Sequence, residues 1–383
     1  MDSFLRRMPE LLVVAAALWA QWRLVFRLLD RPAVRRSRWV PHAIRWVGIA
    51  ATAWLSLPFL YLHPWLRSRL AAIDWVEWLK GLCLVWSAAV LVAWLTTLQP
   101  GGRTFSPARR RFLRVAQGAL VAAPAAAAGF GYATVRRDFR VQEIQVPVPG
   151  LPVDLNGVRI VQLSDLHRGP FLDGRDLDHV VAMANETRAH LAVVTGDLIT
   201  LTDDLLEDCL QRLQALRAEA GVLGCFGNHE HTARCEARAQ RLGARLGMRF
   251  LRGQAERLRF GGAELNVAGV DYQRRSSGYL RGAEKLLEPD AVNILLSHNP
   301  DVFPAAARQG WHLTLAGHTH GGQITLGLLD QYLNPARIFT PFVYGLYRRR
   351  ASALYVTSGV GCVGVPVRIG AYPEVALIKL CAT

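Results

Sequence analysis

An α/β domain carried behind an α-helical membrane region is the fold class this sequence predicts, and three observations predict it. Charge is divided unevenly: of the net +15, residues 1–140 hold 20 Lys and Arg against 6 Asp and Glu, while the remaining residues hold 25 against 24. Four apolar runs of membrane length lie among those N-terminal charges. From Val141 onward, short β-branched runs alternate with amphipathic stretches, the texture of strands and helices stacked in layers. A chain of 383 residues is long enough for two domains. Composition sets the division at 1–140, an anchor region of about four helices, and 141–383, a globular domain.

The apolar runs are 9–29, 44–62, 78–98 and 115–135, each close to the ~20 residues a helix needs to cross a hydrocarbon core. Gln21, Arg23 and Arg27 fall in the second half of the first run and leave it two readings, a span or an interfacial amphipathic helix. The other three are cleaner, and three such runs in succession with aromatic and Arg edges are hard to bury in a soluble fold.

Short cytoplasmic loops accumulate Lys and Arg. Arg31, Arg35, Arg36 and Arg38 lie between the first two runs, and Arg103, Arg109, Arg110, Arg111 and Arg114 between the last two. The middle loop sets Arg67 and Arg69 against Asp74 and Glu77. The expected topology is a multi-pass protein of the inner membrane with the chain from Arg136 onward outside the cytoplasm. Arg109-Arg110-Arg111-Phe112-Leu113-Arg114 before an Ala-rich run resembles a twin-arginine export signal, although it follows three candidate spans rather than opening the chain. A plain positive-inside anchor is the other reading of the same residues.

This distribution assigns the basic charge to the lipid bilayer. No nucleic-acid partner is expected, because phosphate-backbone binding depends on clustered cations and residues 141–383 are nearly neutral. The six cysteines show no metal-type or CxxC spacing and read as small buried hydrophobes. Nothing in the sequence specifies a protein partner.

In the second half, strands are expected at 158–163, 191–195, 222–226, 265–270, 292–296, 313–316, 353–357 and 375–380. Helices are expected at 176–187, 203–218, 233–246, 282–288 and 301–308. Polar motifs sit just after the strands: Ser164-Asp165-Leu166-His167, Gly196-Asp197, Gly227-Asn228-His229-Glu230, Ser297-His298-Asn299-Pro300 and Gly317-His318-Thr319-His320-Gly321-Gly322. Each alone is an ordinary turn. Together, five apolar strands deliver oxygen or imidazole groups at their C-terminal ends. Asp165, His167, Asp197, Asn228, His298, His318 and His320 would suffice for two divalent cations sharing one carboxylate. The mixed nitrogen and oxygen set suits Mn, Fe, Zn, Co or Ni better than Ca or Mg.

The order Asp-X-His, Gly-Asp, Gly-Asn-His-Glu, His, Gly-His-X-His resembles the signature of the calcineurin-like metallophosphoesterases over about residues 141–383. Gly317-His318-Thr319-His320-Gly321-Gly322-Gln323, the ending Gly364-Val365-Pro366-Val367-Arg368 and Pro373-Glu374 are similar to the bacterial membrane-associated branch. The resemblance implies a β-sandwich of two mixed sheets flanked by helices, two metal ions, and hydrolysis of a phosphoester or pyrophosphate bond. By position it implies that Asp165, His167 and His320 hold one metal, that Asn228, His298 and His318 hold the other, and that Asp197 bridges them. It makes His229 the general acid at the leaving group. There is one departure: Thr200 stands where many members carry a carboxylate that orients this His, with Asp203 or Asp204 as candidate substitutes.

Beyond the motifs, Arg168 is a candidate phosphate clamp or a loop cation, His231 a surface or supporting group, and His312 part of the sheet. Tyr332, Phe339, Phe342, Tyr344, Tyr347 and Arg348, Arg349, Arg350 suit a membrane headgroup zone, or a packed loop. The expected substrate is therefore a phosphorylated, lipid-linked or envelope compound. The resemblance also offers UDP-2,3-diacylglucosamine hydrolysis in lipid A synthesis, whose cytoplasmic substrate conflicts with the topology above. An inactive domain kept as a binding module is a third reading, opposed by the complete ligand set.

Overall fold

The computed structural model describes residues 2–60, 74–97, 107–200, 205–274, 276, 278–325 and 334–383. It divides into two compact units, Met1–Phe130 with Gly364–Pro366, and Gly131–Val363 with Val367–Thr383.

The first unit is helical: α1 (Asp2–Leu29), α2 (Val40–Leu55), α3 (Asp74–Thr96) and α4 (Pro107–Phe130). Three segments are long and apolar enough to cross a membrane, Leu11–Leu29, Trp78–Thr96 and Arg111–Val135. The second expected run is different. Helix α2 stops at Leu55, and a separate turn, Leu57–Leu60, follows. Pro58 has no N–H to continue the ladder, and proline disfavours helical backbone in the residue before it. Residues 61 and 62 of that run lie outside the described residues. The polar Gln21 of the first run is buried inside this unit. It donates to Gly48 O (3.2 Å) and Thr52 Oγ1 (3.1 Å), and accepts from Trp86 Nε1 (3.1 Å). One amide thus ties α1 to α2 and α3, as expected for a polar group on the inner face of a helix bundle rather than on an interfacial helix.

The second unit contains two six-stranded mixed sheets. The first has the order β1 (Arg140–Val148), β12 (Glu374–Ala382), β2 (Arg159–Leu163), β3 (Leu191–Thr195), β4 (Val222–Cys225), β5 (Met248–Phe250). The second has the order β10 (Gly345–Arg349), β11 (Ser352–Val356), β9 (Leu313–Ala316), β8 (Val292–Leu296), β7 (Ala263–Gly269), β6 (Gln254–Phe260). Alternate residues of the central strands go to two different cores, as the period of two requires. Ile160, Leu191 and Val193 meet Val267, Ile294 and Leu315 between the sheets. Val161, Ala192 and Val194 face α5 (Gly174–Glu186), α6 (Leu206–Leu213) and α8 (Glu236–Arg245), where Leu177, Val180 and Leu210 cover them. The expected helix at 203–218 is observed as Leu206–Leu213, with residues 203 and 204 outside the described residues, and 282–288 is only a 3-10 turn at Ala283–Leu286.

Strands β2, β3 and β4 are mutually parallel, as are β8 and β9. Parallel pairing puts the C-terminal ends of each set at one edge, where loops are free to carry polar groups. Two side chains join the edges of the two sheets: Gln162 Nε2 donates to Thr195 Oγ1 (2.8 Å) and to Ala316 O (3.0 Å), and His298 Nδ1 donates to Thr195 O (2.7 Å).

Candidate metal centre

The loops at that edge turn sharply. Asp165, His167, Asp197, His318 and His320 all have left-handed backbones, with φ between 47° and 77°. Such conformations are costly for residues with a side chain and persist where surrounding structure imposes them. The constraint here is hydrogen bonding. His167 N donates to Asp197 O (2.9 Å), and His318 N donates to both oxygens of Asp165 (2.9 and 3.1 Å). Glycines permit the crowding: a Cβ at Gly227 would collide with Asp197, and one at Gly317 with Ser164 and Asp165.

The result is a buried convergence of side chains. His167 Nε2 and His320 Nε2 face each other at 3.0 Å, and His320 Nε2 lies 3.4 Å from Asp165 Oδ1. Asp197 Oδ2 lies 3.0 Å from His298 Nε2, 3.6 Å from His167 Nε2 and 3.9 Å from His229 Nε2. His318 completes a cluster with Asp197 and His298. Asn228 opens α7 (Asn228–Ala233), and its Oδ1 is buried without a hydrogen-bond partner.

Electrostatics fit a cation. Burial depresses His167 to about 3 and holds His320 well below the ordinary range, so both rings stay neutral, the form that ligates metals. Burial raises Asp165 to about 6. Burial opposes the charge on Asp197 as well, yet His298, His229 and His167 together hold its carboxyl well below the usual range. His298 is raised to about 10 because Asp197 and Asp165 outweigh burial. Two buried carboxylates thus demand positive charge, and three groups, Asp165–His167–His320, His167–Asp197–His229 and Asp197–His298–His318, have atoms close enough to hold a metal. Neutral imidazoles with carboxylates form the donor set of divalent transition metals.

The calcineurin-like phosphoesterase family model matches residues 158–322. The metallophosphoesterase YkuE of Bacillus subtilis (strain 168) is 30% identical over 283 residues, spanning 72% of this chain and 98% of that protein. The chain belongs to the calcineurin-like metallophosphoesterases. It is also similar to proteins described as a transmembrane protein with metallophosphoesterase domain, from Bos taurus (29% identity; 94% of this chain, 85% of the relative) and Danio rerio (32%; 66% and 59%). This metallophosphoesterase is a metal-dependent phosphoric ester hydrolase whose cofactor is a pair of divalent metal ions.

Around the candidate metal cluster of this metallophosphoesterase lie the other residues singled out in the sequence. His229 has its orienting partner in the backbone: its Nδ1 faces Thr200 O, in a contact shorter than an ordinary hydrogen bond. Thr200 therefore supplies an acceptor with its carbonyl where a carboxylate was expected; Asp203 and Asp204 lie outside the described residues. Arg168, the candidate phosphate clamp or loop cation, is partnered within its own loop and to a neighbouring helix. Its guanidinium donates to Asp208 (2.7 Å), Leu172 O (3.1 Å) and Gly169 O (3.3 Å), which pins the loop to α6. His231 pairs with Glu236 on the surface (3.0 Å), and His312 Nδ1 accepts from Asn293 N in the second sheet (3.0 Å). Much of the aromatic stretch is packed: Phe342 lies against Phe303 and Tyr347, while Phe339 is 69% exposed and Arg348, Arg349 and Arg350 are solvent-facing. Tyr332 lies outside the described residues. All six cysteines are free thiols.

Three supporting residues carry no role that sequence reasoning assigned. Tyr272 stands beside the centre, its ring 5.7 Å from that of His318 and 6.2 Å from that of His298; no motif marks it. Arg368, fully buried, donates to Ser358 O (2.9 Å), Gly359 O (3.1 Å) and Gly361 O (2.5 Å), and so organises the loop whose Gly361 N donates to Asp165 O (2.7 Å). Glu230, also fully buried, accepts from the amides of Leu198 (2.7 Å), Gly227 (2.8 Å), Asp197 (3.0 Å) and Ile199 (3.4 Å). It clamps the Asp197 loop to the loop that presents Asn228 and His229. Glu230→Gln puts an amide donor against amide donors, and a buried polar mismatch costs about 1–3 kcal/mol. The variant should melt lower and bind metal more weakly. Unchanged melting and metal affinity would remove Glu230 from the supporting structure.

Proposed function

We propose that this metallophosphoesterase, with residues 1–140 as its anchor region and 141–383 as its catalytic domain, hydrolyses a phosphoester or pyrophosphate bond of a lipid-linked or envelope substrate on the extracytoplasmic face of the inner membrane. The observation that carries the reaction is the position of Asp197, one carboxylate set among three imidazoles. On this reading Asp165, His167 and His320 hold one metal, Asn228, His298 and His318 hold the other, and Asp197 is shared. When bound, the metal pair supplies Lewis acidity and an activated water.

The chain's own groups supply the rest. A carbonyl only accepts, so His229 Nδ1 donates to Thr200 O and Nε2 is left to carry the proton for the leaving oxygen. His229 N donates to Asp197 Oδ1 (3.0 Å), which fixes the acid relative to the shared carboxylate. Support for a membrane substrate comes from three helices of spanning length and from relatives described as transmembrane. The Arg-rich loops at 31–38 and 103–114 support the orientation.

The test uses the full chain in nanodiscs with Mn²⁺ and a second membrane-free assay on bis-p-nitrophenyl phosphate. Metal-dependent release of phosphate or a phosphoalcohol from a membrane lipid extract, together with a C-terminal reporter active only outside the cytoplasm, is the expected outcome. Hydrolysis of the soluble diester with every lipid left intact would sink the lipid substrate. A catalytic domain protected from external protease would reverse the orientation and favour a cytoplasmic nucleotide-linked lipid such as UDP-2,3-diacylglucosamine.

A further inference from the structure

Behind the metal centre lies a cavity of about 290 Å³, lined among others by Arg140, Gln142, Asn334, Tyr344, Tyr372 and Glu374. Its partition from the metal centre is one residue thick on two sides. His320 turns its ring to His167, while the next residue, Gly321, lines the cavity. Ser358 lines the cavity, while the next residue, Gly359, lies so close to Asp165 that an added Cβ would stand 2.6 Å from the Cβ of Asp165.

The lining carries opposite charges that do not pair. Arg140 and Glu374 are register partners in the parallel ladder of β1 and β12, so their side chains leave the sheet side by side on one face. Arg140 nevertheless bends away. Its guanidinium carbon sits 3.3 Å over the Tyr372 ring and it donates to Asp138 (2.6 Å) in a half-exposed pair. Glu374 is 3% exposed and accepts from the hydroxyls of Tyr355, Thr357 (3.1 Å) and Ser358 (3.2 Å). Among the described residues it makes no ion pair. A cavity therefore separates a buried carboxylate from a guanidinium nearer the surface, with amides and phenols between. An exposed ion pair such as Arg140–Asp138 is weak and readily exchanged for a phosphate.

We propose that this cavity is a second ligand site, distinct from the metal centre, that takes a zwitterionic amine phosphate, with its primary ammonium against Glu374 and its phosphate at Arg140. The ligand is either a soluble phosphodiester or a phospholipid headgroup of the same chemistry. Arg140 follows Val135, the end of the last apolar segment, by five residues, a reach of at most ~18 Å along the chain. An occupant would press on Gly321 and Ser358, and through their neighbours on His320 and Asp165.

The discriminating probes are glycerophosphoethanolamine and glycerophosphocholine, titrated calorimetrically into the full-length protein in detergent. Both present the same phosphodiester to the metal centre, but only the primary ammonium can donate to a carboxylate. The ethanolamine compound should bind about tenfold tighter, the value of one charged hydrogen bond. That preference should vanish in Arg140→Ala and in the cavity-filling Ala371→Leu, while turnover of bis-p-nitrophenyl phosphate without ligand stays at the wild-type level in Arg140→Ala. Should the soluble compounds not bind, turnover that differs between phosphatidylethanolamine and phosphatidylcholine nanodiscs, and no longer differs in Arg140→Ala, would identify the lipid as the source. Equal response to ethanolamine and choline in both formats, or a preference that survives Arg140→Ala, overturns the site. Neither readout requires that the lipid be hydrolysed.

Discussion

Asp197→Asn is expected to remove most of the hydrolytic activity and at least half of the bound metal. Its carboxylate lies within 3.0 to 3.9 Å of imidazole nitrogens from three separate loops. With Asp165 it also raises His298 above the ordinary imidazole range against the opposing effect of burial. Asparagine keeps the shape and removes the charge. A shared carboxylate both spaces two cations and offsets their repulsion, and charge stabilisation of this kind is worth several kcal/mol, about 10²-fold or more in rate. Elemental analysis of the purified variant alongside phosphodiester turnover reads both quantities. Wild-type turnover with two metals per chain would show that Asp197 bridges nothing.

His229→Ala should separate rate from metal. The ring is stacked edge-on to His167 with centroids 4.6 Å apart, and its Nε2 lies 3.9 Å from Asp197, near enough to count geometrically as a third ligand to that pair. Its Nδ1 is committed to the Thr200 carbonyl, which leaves Nε2 to be either a ligand or an acid. The acid reading predicts two metals retained and a loss of about 10² to 10⁴-fold for alkyl esters. It also predicts a much smaller loss for p-nitrophenyl esters, whose leaving group needs little protonation. If metal falls with the substitution and both esters suffer alike, His229 is a ligand.

How much of this was legible beforehand depends on what kind of information each element carries. The eight expected strands are the eight inner strands of the two sheets, and the four that went unpredicted, β1, β5, β6 and β10, are the four sheet edges. Inner strands are covered on both faces and read as continuous apolar runs. Edge strands are half-solvated, and natural sequences load them with polar residues, as in Gln254–Phe260, or with proline, as in Arg140–Val148. Their pairing is settled by neighbours remote in sequence.

The same division runs through the site. Asp165, His167, Asp197, Asn228, His298, His318 and His320 could be singled out because each follows an apolar strand, and a strand's C-terminal end is a local property. Their convergence was not local. Five left-handed backbones among the candidate ligands, the reach of the Glu230 carboxylate to the 197–199 loop, the Thr200 carbonyl facing His229, and the Arg168–Asp208 pair all arise between segments about 30 residues apart or more. Which strands are buried and which donor types stand at their ends follow from hydrophobic runs and adjacent residues. Which of those donors share one buried volume is set by the fold, because a backbone carbonyl or amide is the same in every residue and becomes a specific partner only through where the fold puts it.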